Sequence, residues 1–268
     1  MSSNTMNVLK NGTCFKVISD TRQRWIWNHI ANNLWEESTF KVFDYFIKPD
    51  KSYLDIGAWI GPTALYCACK AGHVYAVEPD NVAFQELVKN LELNSSLLSK
   101  VTCVNAALTD HSGLVRLYTR TEPGDSLSSV IPTLSYDNYT EVRGIAISDF
   151  VTEYDVKDIG FIKIDIEGGE YSLIPSMHDY LYSFRPTLLV SFHIYRLREE
   201  MKLRNINIDN SEGKNSLDDQ ALVLARRVLK SLDFYKFIYD SDGKLFNKEE
   251  VLIDCSDGPF VFTDVCWE

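Results

Sequence analysis

The chain has 268 residues, 45% hydrophobic and 24% charged, with a formal net charge of −11 and a pI near 5.0. That size supports one large α/β domain with a sizeable core, while the acidic balance disfavours the cationic surfaces that hold nucleic acid or anionic membrane. No run approaches the roughly 20 apolar residues of a membrane span, and Met1 to Lys10 lacks the apolar stretch of a secretory signal, so a cytoplasmic location and no membrane span are expected.

In chain order, residues 20–47 read as helical, with Trp25, Trp27, Ile30, Leu34 and Trp35 near one face and Phe40, Val42, Phe43 and Phe46 continuing it. This stripe reads as core, or as a cap over a sheet, rather than as a substrate-facing wall of Trp35 and Glu36. Residues 52–57 form a first strand and 73–78 a second, with a helix from Pro62 to Ala71 between them. Asp80 or Asn81 can cap the next helix, in which Phe84, Leu87 and Leu91 share a face. Val101 to Leu108 reads as a third strand and Gly113 to Thr119 as a short extra one. Glu122 to Asn138 is rich in Pro, Gly, Ser and Asp and reads as a long loop over the site.

Ile159 to Asp165 and Leu188 to His193 are further buried strands. Arg196, Arg198, Lys202 and Arg204 read as a solvated helix face, and the polar residues 196–215 as a lid or insertion. Ser216 with Asp219 can start a helix carrying Leu222, Ala225, Val228, Leu229 and Leu232. Asp240-Ser241-Asp242-Gly243 marks a hairpin turn, and Phe260 to Val265 a last strand. The six cysteines lack metal-ligand spacing and read as buried free thiols.

The alternation of strand and helix predicts a Rossmann-like α/β fold, with a mainly parallel central sheet flanked by helices and antiparallel C-terminal strands. The expected organisation is an N-terminal helical cap (1–50), a cofactor-binding core (51–195), and a lid or insertion (196–268) whose C-terminal helix and strands complete the same domain.

Two motifs carry the chemistry. The first is Leu54-Asp55-Ile56-Gly57-Ala58-Trp59-Ile60-Gly61, followed by Val77-Glu78-Pro79. A strand ending near Asp55 turns through glycine into a helix that begins at Pro62. The turn lacks the Gly-x-Gly-x-x-Gly that seats a dinucleotide pyrophosphate. Its carboxylate repels phosphate and suits a ligand with an ammonium and a sulfonium, which favours S-adenosylmethionine. Glu78, at the end of the next strand, can accept both ribose hydroxyls.

The second motif is Phe161-Ile162-Lys163-Ile164-Asp165-Ile166-Glu167-Gly168-Gly169-Glu170. Charges at the end of a strand buried on both faces need partners or a ligand. Lys163 and Asp165 can simply pair, yet the strand end is where open α/β sheets bind ligands. His193 ends the next strand and should face the same crevice. As general base it is the candidate at neutral pH, with Asp165 or Glu167 as alternatives or as its orienters, and Lys163 stabilising the alkoxide. The histidine and carboxylates can also ligate a divalent metal with the substrate hydroxyl. No spacing is diagnostic, however, and no metal is predicted.

With Asn90 and Asn94, Asn105-Ala106-Ala107-Leu108 and the Trp35-Glu36 pair, these segments resemble the FkbM-type methyltransferases of the class I, S-adenosylmethionine-dependent superfamily. The resemblance runs from about residue 35 to 195. This chain has Trp59 where the family usually has asparagine, and Ser191 where it often has an acid. The resemblance implies that Asp55, Gly57 and Gly61 border the amino-acid end of the cofactor, with Ala58, Trp59 and Pro79 also in contact. Glu78 would bind ribose, and Asn105 with Ala106 would lie near adenine. It further implies O-methylation of a hydroxyl on a sugar, glycan or related small molecule. A non-catalytic S-adenosylmethionine-binding module and an NAD-dependent oxidoreductase are the competing readings.

Overall fold

A computed structural model describes residues 4–20, 24–132, 134–204, 217–254 and 258–267. Its first elements are a hairpin of β1 (Thr5–Lys10) and β2 (Thr13–Ile18), which corrects the all-helical cap expected over residues 1–50. The overlooked signal is Asn11-Gly12, both at positive φ (44° and 77°), the turn chemistry of a two-residue hairpin. Val8, Phe15 and Val17 bury the inner side of the hairpin. The helix expected over residues 20–47 is two helices, α1 (Arg24–Ala31) and α2 (Glu37–Phe46). The chain breaks between them, with Asn33 and Glu36 at positive φ (58° and 45°).

Strand and helix then alternate through β3 (Ser52–Ile56), α3 (Pro62–Ala68), β4 (His73–Val77), α4 (Asn81–Glu92) and β5 (Val101–Val104). Asp80 caps α4, its Oδ1 accepting the N–H groups of Val82 (2.8 Å) and Ala83 (3.2 Å). The expected single strand from Val101 to Leu108 is two, β5 and β6 (Ala107–Leu108), which join different sheets. After β6 come β7 (Gly113–Tyr118), β8 (Tyr139–Ile145), α5 (Ile147–Glu153) and β9 (Ile159–Ile164). Next are α6 (Glu170–Ser176), α7 (His178–Phe184), β10 (Thr187–Ser191), α8 (Ile194–Leu203) and α9 (Leu217–Ser231). The chain closes with β11 (Phe237–Asp240), β12 (Leu245–Phe246), α10 (Lys248–Asp254) and β13 (Pro259–Thr263).

The main sheet has eight strands in the order β12-β11-β13-β10-β9-β3-β4-β5. β10, β9, β3, β4 and β5 run parallel, and β13, β11 and β12 pair antiparallel. From β3 the chain builds outward to β4 and β5 on one side and later to β9 and β10 on the other. The crevice at the carboxyl end of β3 is therefore a topological switch point. A second, three-stranded sheet, β6-β8-β7, flanks it and carries the loop of residues 119–138 between β7 and β8.

Period-2 alternation divides the core between the two faces of the main sheet. Leu54, Ile56, Ile162, Ile164, Leu188 and Val190 fill one face, and Tyr53, Phe161 and Leu189 the other. Asp55 and Lys163 share the parity of Tyr53 and Phe161, and the strand register sets them side by side. Ala221, Ala225, Val228, Leu229 and Leu232 of α9 bury a helical stripe, each larger side chain contributing about 1.5–3 kcal/mol.

The polar stretch expected as a lid over residues 196–215 begins as helix in α8; residues 205–215, and the helix start at Ser216, lie outside the described residues. Among the described cysteines Cys67 is buried, whereas Cys14 and Cys266 are exposed, correcting the expectation of uniformly buried thiols. Among the described residues no helix is long and apolar enough to cross a membrane.

Candidate active site

β3 ends at Ile56, and the chain reverses through Gly57 and Trp59 into α3. Gly57 has φ 88°, and a Cβ there would lie 2.1 Å from the backbone oxygen of Asp165. Only glycine lets the exits of β3 and β9 approach this closely. Trp59 holds an unusual positive φ of 49° because it is tied at two points. Its backbone N–H donates to Glu78 Oε2 (2.8 Å) and its indole N–H to the Gly124 carbonyl (3.0 Å). Gly61, at φ 95°, leaves room for Leu87 Cδ1 to pack 2.6 Å from where a Cβ would stand.

Two cavities meet above these strand ends. The first is a narrow, partly open cleft. Its walls include Gly57, Glu78, Pro79, Ala106, Leu108 and Val130. Glu78 is 7% exposed, and burial raises its carboxyl from 4.5 to about 7. Its Oε1 accepts the Asp80 N–H (2.8 Å), and each oxygen keeps a further lone pair for a ligand hydroxyl. The long loop closes the cavity as expected. It is pinned by Gly124 N–H to Asp80 Oδ2 (2.7 Å) and by Ser129 Oγ to the Glu167 carbonyl (2.8 Å).

The second cavity has walls from Trp25, Trp35, Glu36, Lys163, Ser191 and His193, and it shares Gly57, Trp59, Ser126, Asp165 and Glu167 with the first. Trp35 packs against the core beside Phe40, and it and Glu36 also line this cavity, the less favoured of the two readings of the stripe. Glu36 is exposed into this space, yet the protein around it, with the Asp165 charge, raises its carboxyl to about 7.

The charges of the second motif are all partnered. Lys163 Nζ donates to Asp165 Oδ2 (2.8 Å) and lies 4.0 Å from Asp55 Oδ1. Burial alone would lower the Lys163 ammonium, but Asp165, Asp55 and Glu36 raise it, so it stays charged. Asp165 would be raised by burial; Lys163 and His193 hold it below the ordinary carboxylate range. Glu170 is fully buried. It accepts the N–H groups of Ile166 (2.9 Å) and Gly168 (2.8 Å) and binds His193 Nδ1 (2.9 Å).

His193 Nε2 points between Asp165 Oδ1 (3.4 Å) and Glu167 Oε1 (3.6 Å). Burial lowers an imidazolium, but the three carboxylates outweigh it and raise His193 to about 9. Without a competing cation the ring is protonated at neutral pH. Glu167 Oε2 accepts Arg196 Nε (2.6 Å). Arg196 is 5% exposed, so it does not belong to a solvated basic face.

The structure thus brings together Lys163, Asp165, Glu167 and His193 on one wall, and Gly57, Ala58, Trp59, Glu78, Pro79 and Ala106 around the turn. Three of the expected residues line neither cavity. Asp55 is fully buried behind the turn and lines neither cavity; it accepts the Thr63 hydroxyl (2.6 Å) and keeps Oδ1 without a hydrogen bond. Burial raises its carboxyl. Gly61 lines neither cavity, because its open side is filled by Leu87. Asn105 is exposed and spends its amide on the Glu78 (2.9 Å) and Pro79 (3.2 Å) carbonyls, which breaks the strand at that point. The sequence reading missed Glu170 and Arg196 as partners of the site. Glu170 stood at the end of the second motif, and its acidic character there was the available signal for the first. Nothing in sequence marked Arg196.

The family described as "Methyltransferase FkbM domain" matches residues 55–230. The hexuronic acid methyltransferase AglP of Haloferax volcanii is 25% identical over 198 residues, covering 72% of this chain and 77% of that protein. The crystal structure of methyltransferase FkbM from Methylobacillus flagellatus KT superposes over 88% of this chain with a TM-score of 0.51 at 18% identity. This chain spans 52% of that structure.

Proposed function

The chain belongs to the FkbM methyltransferase family, and we propose that it transfers the methyl group of S-adenosylmethionine to a hydroxyl of a sugar, glycan or related small molecule. Methyltransferase membership displaces the NAD-dependent oxidoreductase and the non-catalytic module as readings. The observation that supports the donor most is the pair of cavities joined at Gly57, Trp59 and Asp165. One has mostly apolar walls with the Glu78 carboxylate among them. The other is polar and charged.

In this reading Glu78 takes the ribose hydroxyls and Ala106 with Pro79 borders the base. Gly57, Ala58 and Trp59 border the methionine end. Asp55, Gly61 and Asn105 act behind them by shaping the turns. The acceptor would lie against Trp25 and Trp35, whose flat apolar faces suit the apolar face of a sugar ring. Glu36, Ser191, Asp165 and Glu167 offer acceptors for its hydroxyls. The relationship to a hexuronic acid methyltransferase points the same way.

Methyl transfer from a sulfonium is an in-line displacement, so holding the two reactants in line supplies much of the rate. Lys163, Asp165, Glu167 and His193 position the acceptor hydroxyl. His193 holds its own proton too firmly to be a free base at neutral pH. Glu36, held near 7 and facing the same cavity, is the better-matched proton acceptor.

Calorimetric titration with S-adenosylmethionine, S-adenosylhomocysteine and NAD tests the donor. Binding of the adenosyl ligands that weakens in Glu78→Ala is the expected result, and binding of NAD alone would overturn it. Transfer of labelled methyl to uronic-acid glycans or neutral sugars then tests the acceptor; label reaching only a nucleic acid or protein amine would remove the hydroxyl reading.

A further inference from the structure

We propose that Asp165, Glu167 and His193 bind one divalent first-row metal ion, which takes the acceptor hydroxyl as a further ligand. The role of the acceptor rests on the methyltransferase reading above; the ion site itself stands on geometry. One atom from each residue, Asp165 Oδ1, Glu167 Oε1 and His193 Nε2, lies within 4.8 Å of the other two. Nε2 is 3.4 Å from the first oxygen and 3.6 Å from the second. Both separations exceed the ~2.7–3.2 Å of an N–H···O hydrogen bond. They match ligands that share an ion instead. With metal–ligand distances of roughly 2.1 Å, tetrahedral neighbours stand about 3.4 Å apart and octahedral ones about 3.0 Å.

A second observation is independent of that spacing. The other ligating atom of each residue is already bound by a neighbour. Lys163 holds Asp165 Oδ2 (2.8 Å), Arg196 holds Glu167 Oε2 (2.6 Å), and Glu170 Oε1 holds His193 Nδ1 (2.9 Å). This is how outer partners orient metal ligands. An Nδ1–H donated to Glu170 leaves the lone pair of a neutral imidazole at Nε2, aimed between the two carboxylate oxygens. All three residues also line the acceptor cavity, so an ion there keeps open positions for substrate. One imidazole with two carboxylates suits Mn²⁺, Fe²⁺ or Zn²⁺ better than Mg²⁺ or Ca²⁺.

The step balances without redox change. The ion polarises the bound hydroxyl, whose proton passes to the cavity-facing carboxylate of Glu36. The alkoxide oxygen then forms the bond to the methyl carbon. The carbon–sulfur bond breaks with its electron pair staying on sulfur, and the sulfonium becomes a thioether.

The test uses the full chain, stripped with EDTA. It is titrated with MnCl₂, read by electron paramagnetic resonance, and with ZnCl₂ by calorimetry; S-adenosylmethionine binding is measured in parallel on every sample. One ion per chain is expected. His193→Gln and Glu167→Gln should each weaken ion binding at least 10-fold, and Glu170→Gln, which removes only an outer partner, about 10–100-fold. His193→Gln and Glu170→Gln should keep cofactor affinity, and all three should keep a cooperative thermal unfolding transition, which shows that they fold. A wild-type chain that binds S-adenosylmethionine but neither ion overturns the metal site and leaves the methyltransferase reading intact. Ion binding unchanged in both His193→Gln and Glu167→Gln also overturns it. Ion binding lost in those variants, with no S-adenosylmethionine binding by the wild type, supports the site and sinks the donor assignment.

Discussion

The two halves of the crevice are built on opposite plans. The Glu78 side is built on the exit of β3, the exit of β4 and the start of β6, and it is closed by the long loop and the end of β9. Its walls are mostly apolar, and Glu78 is the carboxylate at their centre in the proposed reading. The His193 side is assembled from the junction of α1 and α2, the ends of β9 and β10, and the first turn of α8. There, charge is concentrated, and every charge has a counterpart, because an unpaired buried ion costs several kcal/mol. A half made by local turns can hold a common cofactor with little specificity of its own. A half made by converging charges can be re-specified by changing any of several elements, which is where the proposed reading puts acceptor choice.

Removing a counter-ion should separate the halves most sharply. Lys163→Met leaves the buried Asp55 and the half-buried Asp165 beside no ammonium. It should cost about 3–5 kcal/mol in urea denaturation and abolish turnover, while S-adenosylmethionine still binds to whatever fraction is folded. A loss under about 1 kcal/mol would show that the charged wall is not held by its pairs. Gly57 sits at the seam, so Gly57→Ala should damage both halves. A Cβ 2.1 Å from a backbone oxygen at φ 88° predicts a loss of about 3 kcal/mol together with loss of cofactor binding.

Glu78 reports on the adenosyl half alone. Its folded pKa, about 7, stands above its ordinary 4.5. The folded state thus binds more protons between those values, and this group makes stability fall as pH rises from about 4.5 to 7. Glu78→Gln should flatten that part of the stability profile. Ribose hydroxyls donating to the carboxylate favour its ionised form, so cofactor binding near pH 6 should release a proton. Calorimetry in buffers of different ionisation enthalpy reads that proton directly, and no buffer dependence would mean that Glu78 does not meet the ligand. At pH 8 the same variant should bind roughly tenfold more weakly.

The smallest effect tests the loop. Trp59→Phe removes one hydrogen bond, to the Gly124 carbonyl, and should cost about 1 kcal/mol or less. Faster amide exchange at residues 122–126, with turnover changed more than stability, would mark the loop as part of the site. Unchanged exchange would make Trp59 a wall and nothing more.

Much of the adenosyl half was legible because its signals are local. Gly57, Pro62 and Glu78 each encode a turn, a helix start or a strand end within a few residues, and the α/β alternation follows from apolar periodicity. The hairpin of residues 5–18 was missed although Asn11-Gly12 announced it, because its strands are short and only half apolar. Asn105 and Gly61, expected beside the cofactor, line neither cavity: the Asn105 amide donates to two carbonyls and Leu87 fills the open side of Gly61. The aromatic stripe of α1 and α2 could not reveal that Trp35 and Glu36 also line a cavity, since that follows from the break at positive φ between the helices.

By itself the sequence determined the order of elements, the mainly parallel sheet, the switch-point crevice and the family, because period, turn chemistry and motif spacing act over a few residues. Only the tertiary structure decided which charges meet. Glu170 orients His193 from 23 residues away in sequence, and Arg196 reaches back 29 residues to Glu167. Those partnerships depend on strand register and on how α8 leaves β10, and no local pattern encodes either.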